Sequence, residues 1–148
     1  MELYPKADIL KRSIARFIDF LIIGAFSNLL PPIGFYAGMT YLLIADGLFN
    51  GRSIGKRIIG LQTILTERIE GCGFKESIIR NSPFALAYIL FCIKYIGWIF
   101  TFIIIGFELL LIIGNERGIR FGDEMAKTQV LDGEKIDINL LERRDKWV

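Results

Sequence analysis

The chain has 148 residues, 53% of them hydrophobic, with 18 Lys and Arg against 16 Asp and Glu and no histidine. Its mean hydropathy is +0.46, and the apolar excess sits in two blocks, each longer than the roughly 20 residues that cross a bilayer. These facts exclude a disordered chain, a secreted disulfide scaffold and a soluble nucleic-acid binder, and they point to an integral membrane protein.

The chain opens with charges that run up to Arg16 and no small-residue cleavage site follows, so the start does not read as a cleavable signal peptide. The first apolar block, residues 17–49, contains no Lys or Arg and only Asp19 and Asp46 as charges. Pro31 and Pro32 interrupt it, because proline lacks an N–H and restricts the residue before it. The block therefore reads as two helices, about 7–30 and 33–49, joined as a hairpin. Arg12, Ala15, Arg16 and Asp19 fall close to one face of the first helix. A centred aspartate costs ~2.5–3.5 kcal/mol on insertion scales and needs a partner; Arg16 is within reach. Gly34 and Gly38 give the second helix a smooth strip for close helix packing.

A basic segment follows, with Gly51, Ser53, Gly55, Lys56 and Arg57. It does not fit a phosphate loop: three residues separate its glycines, Arg57 stands in place of Ser/Thr, and no strand precedes it. The reading here is an interfacial stretch lying on anionic lipid headgroups. The second apolar block, residues 84–114, carries only Lys94 and Glu108, and Lys94–Trp98 supplies its turn. It predicts helices of about 75–96 and 98–114. A single tilted helix through 84–113 is the alternative, and it would leave seven basic residues of the tail outside the cell. The positive-inside rule instead places the three basic clusters, and both termini, in the cytoplasm.

The expected fold is thus an all-α membrane protein, a four-helix transmembrane bundle of two hairpins. Segments 61–66 and 127–132 can pair as a short cytoplasmic two-stranded ribbon resting on the helix ends. Similar landmarks recur at spacings of 64, 63 and 66 residues. They suggest a single domain over 1–148 built from repeats 7–67 and 75–133 plus a polar cytoplasmic tail, 134–148; chance recurrence of common membrane residues is the competing account.

The two cysteines lack metal-type spacing, and without histidine neither a zinc site nor the usual neutral-pH proton shuttle is expected. No cofactor loop or nucleophile–base pair is visible, so no enzyme is expected. Asp19, Asp46 and Glu108 are candidates for carboxylates that face a bundle interior where cations and protons compete. For Asp19 and Asp46 a structural ion-pair lock is the other reading; Glu108 has no basic neighbour in sequence and fits function better.

The ordered set of motifs resembles the RDD family of bacterial membrane proteins, named for one arginine and two aspartates. An Arg-x-x-Ala-x-x-x-Asp pattern matches Arg12, Ala15 and Asp19; a Gly-x-Ser-x-Gly-Lys-Arg-x-x-Gly-Leu segment matches Gly51 to Leu61. Arg80 fits an arginine before the later hydrophobic region, and Asp123, Ala126, Thr128 and Val130 fit the closing pattern. Gly122 and Lys127 depart from it, standing where His and Gly are common. The resemblance implies transport, with sodium/proton antiport in some members. The expectation is therefore a small inner-membrane transporter or monovalent cation/proton exchanger, forming a homo-oligomer. The alternative is a membrane-embedded accessory or assembly subunit docked on another membrane protein. Arg12, Arg16 and Asp123 are expected in ion-pair roles.

Overall fold

The computed structural model describes residues 7–67, 70–115 and 118–133; the expected tail, 134–148, lies outside them. The described residues form six helices and a two-stranded sheet: α1 (Ile9–Leu29), α2 (Ile33–Leu48), α3 (Ile54–Ile59), β1 (Leu61–Leu65), α4 (Phe74–Phe91), α5 (Gly97–Gly114), α6 (Phe121–Met125) and β2 (Thr128–Asp132). Two long helices, a short helix and a strand thus follow one another twice. Among the described residues, α5 alone is long and apolar enough to cross a membrane by length and composition; α2 is apolar but has 16 residues.

The long helices form two hairpins with tightly closed tips. Asp8 caps α1 by accepting from the Leu10 N–H at 3.0 Å. At the far end α2 begins against the backbone of α1, and a Cβ on Gly34 would overlap the Phe26 carbonyl. Gly97 stands in the same relation to Leu90 at the tip of the second hairpin. The helix expected over 75–96 ends earlier, at Phe91, because 92–96 is needed for that turn. Gly38 seats α2 against α1 and α4: a Cβ there would lie 2.8 Å from Ile23 Cγ2 and 3.3 Å from Tyr88 Oη. The Gly34/Gly38 strip is buried within the chain, so it does not offer a surface to a second subunit.

Small polar groups tie the helices across their seams. Ser77 Oγ donates to the Leu43 carbonyl at 2.7 Å, Thr101 Oγ1 to the Ala87 carbonyl at 3.0 Å, and Ser27 and Tyr88 hydroxyls meet at 2.8 Å. α1 packs on α2, α2 on α4 and α4 on α5, but α1 and α5 do not pack closely against each other, so the ring of helices stays open on one side.

Two small apolar cores result. One, around Ile23, Leu42, Phe84 and Ala85, holds the hairpins together. The other joins Ala7 and Ala15 to Leu61 and Val130, so the sheet rests on the start of α1. The strands pair antiparallel, Leu61 opposite Asp132 and Thr63 opposite Val130. Between the two cores lies a layer of buried charge. That inverts the distribution of a soluble protein, because large apolar side chains such as Phe17, Phe102, Ile103 and Leu110 are exposed on the outer faces.

Each strand is entered through a left-handed residue, Gly60 (φ 80°) before β1 and Lys127 (φ 52°) before β2. Glycine adopts that conformation without strain, whereas an L side chain there costs ~1–2 kcal/mol. Lys127→Gly is therefore expected to stabilise the protein by about 0.5–1 kcal/mol after the entropy glycine loses on folding. Gly60→Ala should destabilise it by a similar ~1 kcal/mol. Thermal unfolding of the two variants in detergent checks the pair; a Lys127→Gly protein that melts below wild type would refute the strain argument.

Candidate functional site

The charged layer is built around three aspartates, each from a different element. Asp123 lies in the first turn of α6 and is fully buried. Its Oδ2 accepts from Arg12 Nη2 at 3.0 Å, and its Oδ1 lies 2.6 Å from Arg80 Nη2 and 3.1 Å from Arg120 Nη2. Burial pushes this carboxyl up, but Arg120, Arg80 and Arg12 outweigh it and hold it below the usual carboxylate range. Arg12 also donates to the Gly118 carbonyl.

Asp46, near the end of α2, meets Lys56 Nζ at 2.6 Å and Arg80 Nε at 3.4 Å, and accepts from Asn81 Nδ2 at 3.3 Å. Arg80, with no exposed surface, thus bridges Asp46 and Asp123. Lys56 is 5% exposed and also donates to Thr63 Oγ1 at 2.9 Å. This corrects the reading of the Gly51–Arg57 segment as one lying on headgroups: Ser53, Gly55 and Lys56 are buried, and Arg57 alone of that basic pair is exposed.

Asp19 differs from expectation. It is 1% exposed, and its donors are neutral: Tyr41 Oη at 2.8 Å, Ser53 Oγ at 2.6 Å and the Gly55 N–H at 2.9 Å. Arg16 is not its ion-pair partner. Arg16 instead donates to Asn81 Oδ1 at 3.1 Å and packs over the Phe84 ring, 4.9 Å from its centroid. The reason lies in α3, which sits so close on α1 that a Cβ at Gly55 would overlap the Ala15 carbonyl. That approach brings the start of α3 over Asp19. It also explains why Ala15, fully buried, is small.

Glu108 stands apart from these three. It is 2% exposed and leaves its Oε2 with no hydrogen-bond partner. It lines a cavity of about 290 Å³ between α1 and α5. Arg12, Arg16, Lys56 and Arg120 supply the cavity's basic wall, and Phe17, Phe20, Ile105 and Leu109 its apolar one. Arg120 shares the Phe84 ring with Arg16, 5.1 Å from the centroid. Across the whole layer five cationic side chains (Arg12, Arg16, Lys56, Arg80, Arg120) face four carboxylates (Asp19, Asp46, Glu108, Asp123).

The sequence places Ser53 and Lys56 in a basic motif but gives them no part in a site, and it points to none of Arg120, Asn81 and Tyr41. One local signal was available for Ser53, which caps α3 by accepting from the Lys56 N–H three residues on. Cys72 is buried, and that burial pushes its thiol up to about 11. Among the described residues no group of three acidic or cysteine side chains gathers to hold a metal.

A mostly helical protein with an apolar exterior and a charged, cavity-bearing interior belongs to the class of small membrane-associated helical proteins. The chain is a member of the RDD family, whose profile matches residues 28–127. The match contains Lys56, Arg80, Glu108 and Asp123 and begins after the Arg12–Asp19 stretch of α1. No curated protein and no solved structure matches the chain.

Proposed function

We propose that this chain crosses the inner membrane four times as two hairpins and works as a small transporter whose proton-carrying group is Glu108. The apolar outer faces of all four long helices support the crossings. So does the gathering of Arg12, Lys56, Arg80 and Arg120 at the end opposite both hairpin tips, the cytoplasmic end by the positive-inside rule. At 1.5 Å per residue α2 and α5 are about 24 and 27 Å long, slightly short of a ~30 Å hydrocarbon core, which local thinning of the bilayer accommodates.

The observation that carries the functional reading is the contrast among the carboxylates. Asp19, Asp46 and Asp123 are saturated by protein donors, so an ion could bind them only by breaking the layer. Glu108 has a free oxygen in a cavity and can take up or release a proton without breaking a protein contact. This narrows the expected exchanger from three carboxylates to one. Arg12 and Arg16 on α1, Lys56 on α3 and Arg120 beside α6 face that cavity, while Asp123 lies behind them. Their excess of positive charge disfavours a bare monovalent cation there and favours a negatively charged passenger moving with the proton.

Purified protein in liposomes carrying a pH gradient tests this. Wild type should dissipate the gradient when phosphate is supplied, and Glu108→Gln should lose about tenfold or more of that rate while folding normally. Equal rates for the two proteins would remove Glu108 from the mechanism. Wild-type vesicles inert to Na⁺, K⁺ and phosphate alike would reject transport. They would leave the accessory-subunit reading, which the structural use of the other three carboxylates favours.

A further inference from the structure

The cavity has an unusual combination of walls for a site meant only for small ions. Its inner wall is basic, whereas its outer part is lined by Phe17 and Leu109, which are 62% and 42% exposed on the surface a bilayer would cover. It opens sideways because α1 and α5 do not close on each other. Arg16 lies in the second turn of α1, near the cytoplasmic ends of the helices, the depth at which lipid phosphates sit. Its one side-chain hydrogen bond to protein is to Asn81, and among the described residues no carboxylate lies within ion-pair distance of it. A guanidinium has five N–H donors in a planar fork suited to phosphate. Arg120 stands beside it on the same Phe84 ring, and the layer as a whole carries one more cation than carboxylates even with Glu108 ionised.

We propose that the cleft between α1 and α5 binds the phosphate group of an anionic phospholipid, with Arg16 as its main contact, Arg120 beside it, and an acyl chain lying along Phe17, Phe20 and Leu109. The phosphate supplies the negative charge the layer lacks, and the acyl chain fills the open side of the helix ring. The inference rests on the reading of this cavity as the working site but does not require that any ion be moved.

Binding in detergent, read by native mass spectrometry and thermal shift, separates it from the vesicle flux. The full chain should retain phosphatidylglycerol about tenfold more strongly than phosphatidylcholine. Arg16→Gln, which keeps a donor for Asn81, should abolish that preference. Leu109→Trp, which narrows the apolar part without touching a charge, should weaken both lipids. An equal preference for the two lipids, or an Arg16→Gln protein that still selects phosphatidylglycerol, overturns the proposal. Inorganic phosphate that raises the melting temperature as much as phosphatidylglycerol would also overturn it, by assigning the site to a free oxyanion. Lipid selectivity without flux would sink the transport reading alone.

Discussion

Asp123→Asn is expected to abolish folding, leaving aggregated protein on fluorescence-detected size-exclusion chromatography. The wild-type carboxylate is shared by Arg12, Arg80 and Arg120, from three separate parts of the chain, and has no exposed surface. Breaking one buried pair by removing a partner costs about 3–5 kcal/mol, because the remaining charge is left uncompensated. Here one substitution strands the guanidiniums of Arg12 and Arg120 and leaves Arg80 with Asp46 alone, at 3.4 Å, a loss comparable with the whole ~5–15 kcal/mol stability of a domain. By contrast, Glu67→Gln, which breaks the exposed Lys127–Glu67 pair at 2.8 Å, should leave the melting temperature close to that of wild type. The same arrangement fixes the pH response. The folded-state carboxyl of Asp123 is depressed, so its contribution is fully present above the unfolded value near ~4 and is lost only as pH falls through the lower folded value. Wild-type melting temperatures should therefore hold from neutral pH down to about 4 and fall below it. A folded, wild-type-stable Asp123→Asn protein would mean that the three arginines are neutralised elsewhere.

Much of this fold is written in local sequence. Apolar blocks interrupted by Pro31–Pro32 and by the Lys94–Trp98 turn predict four long helices, and these form within a few residues of expectation. The strands also fall where short β-prone segments follow the basic stretches, and they pair antiparallel as a ribbon on the helix ends. The two short helices were not legible. α3 and α6 have six and five residues, too few for an apolar period to show, and tertiary contact with α1 and α4 holds them in place. The site fails to show for the same reason. Asp19 is bonded by residues 34 and 36 positions away, and Asp46 by Lys56 and Arg80 across two different elements. Sequence spacing offered Arg16 as the nearest cation to Asp19, and proximity along one helix was the wrong guide. Charge type was better: the residues that look too costly to bury are the ones that meet in the layer.

Gly55→Ala should damage the protein as severely as Asp19→Asn, although one variant adds a methyl group and the other only exchanges an oxygen for an amide nitrogen. The added Cβ would overlap the Ala15 carbonyl, which is helix backbone and cannot turn aside. α3 must therefore lift from α1. Overpacking of this kind costs about 1–3 kcal/mol. Lifting α3 also withdraws the Gly55 N–H and Ser53 Oγ from Asp19, two hydrogen bonds to a charged acceptor at ~1.5–3 kcal/mol each. Asp19→Asn weakens the same bonds from the other side, since an amide presents one acceptor oxygen where the carboxylate uses two. The two substitutions thus remove largely the same interactions. In a double-mutant cycle of thermal stability their effects should fall short of additivity by about 1–3 kcal/mol, the range found for groups in one network. The cycle also weighs the two accounts of Asp19. If its role is to dock α3, Asp19→Asn and Gly55→Ala should lower vesicle flux only in proportion to the folded protein recovered. An Asp19→Asn protein that folds at wild-type yield yet carries no flux would show that this aspartate takes part in transport, and that three neutral donors do not lock it.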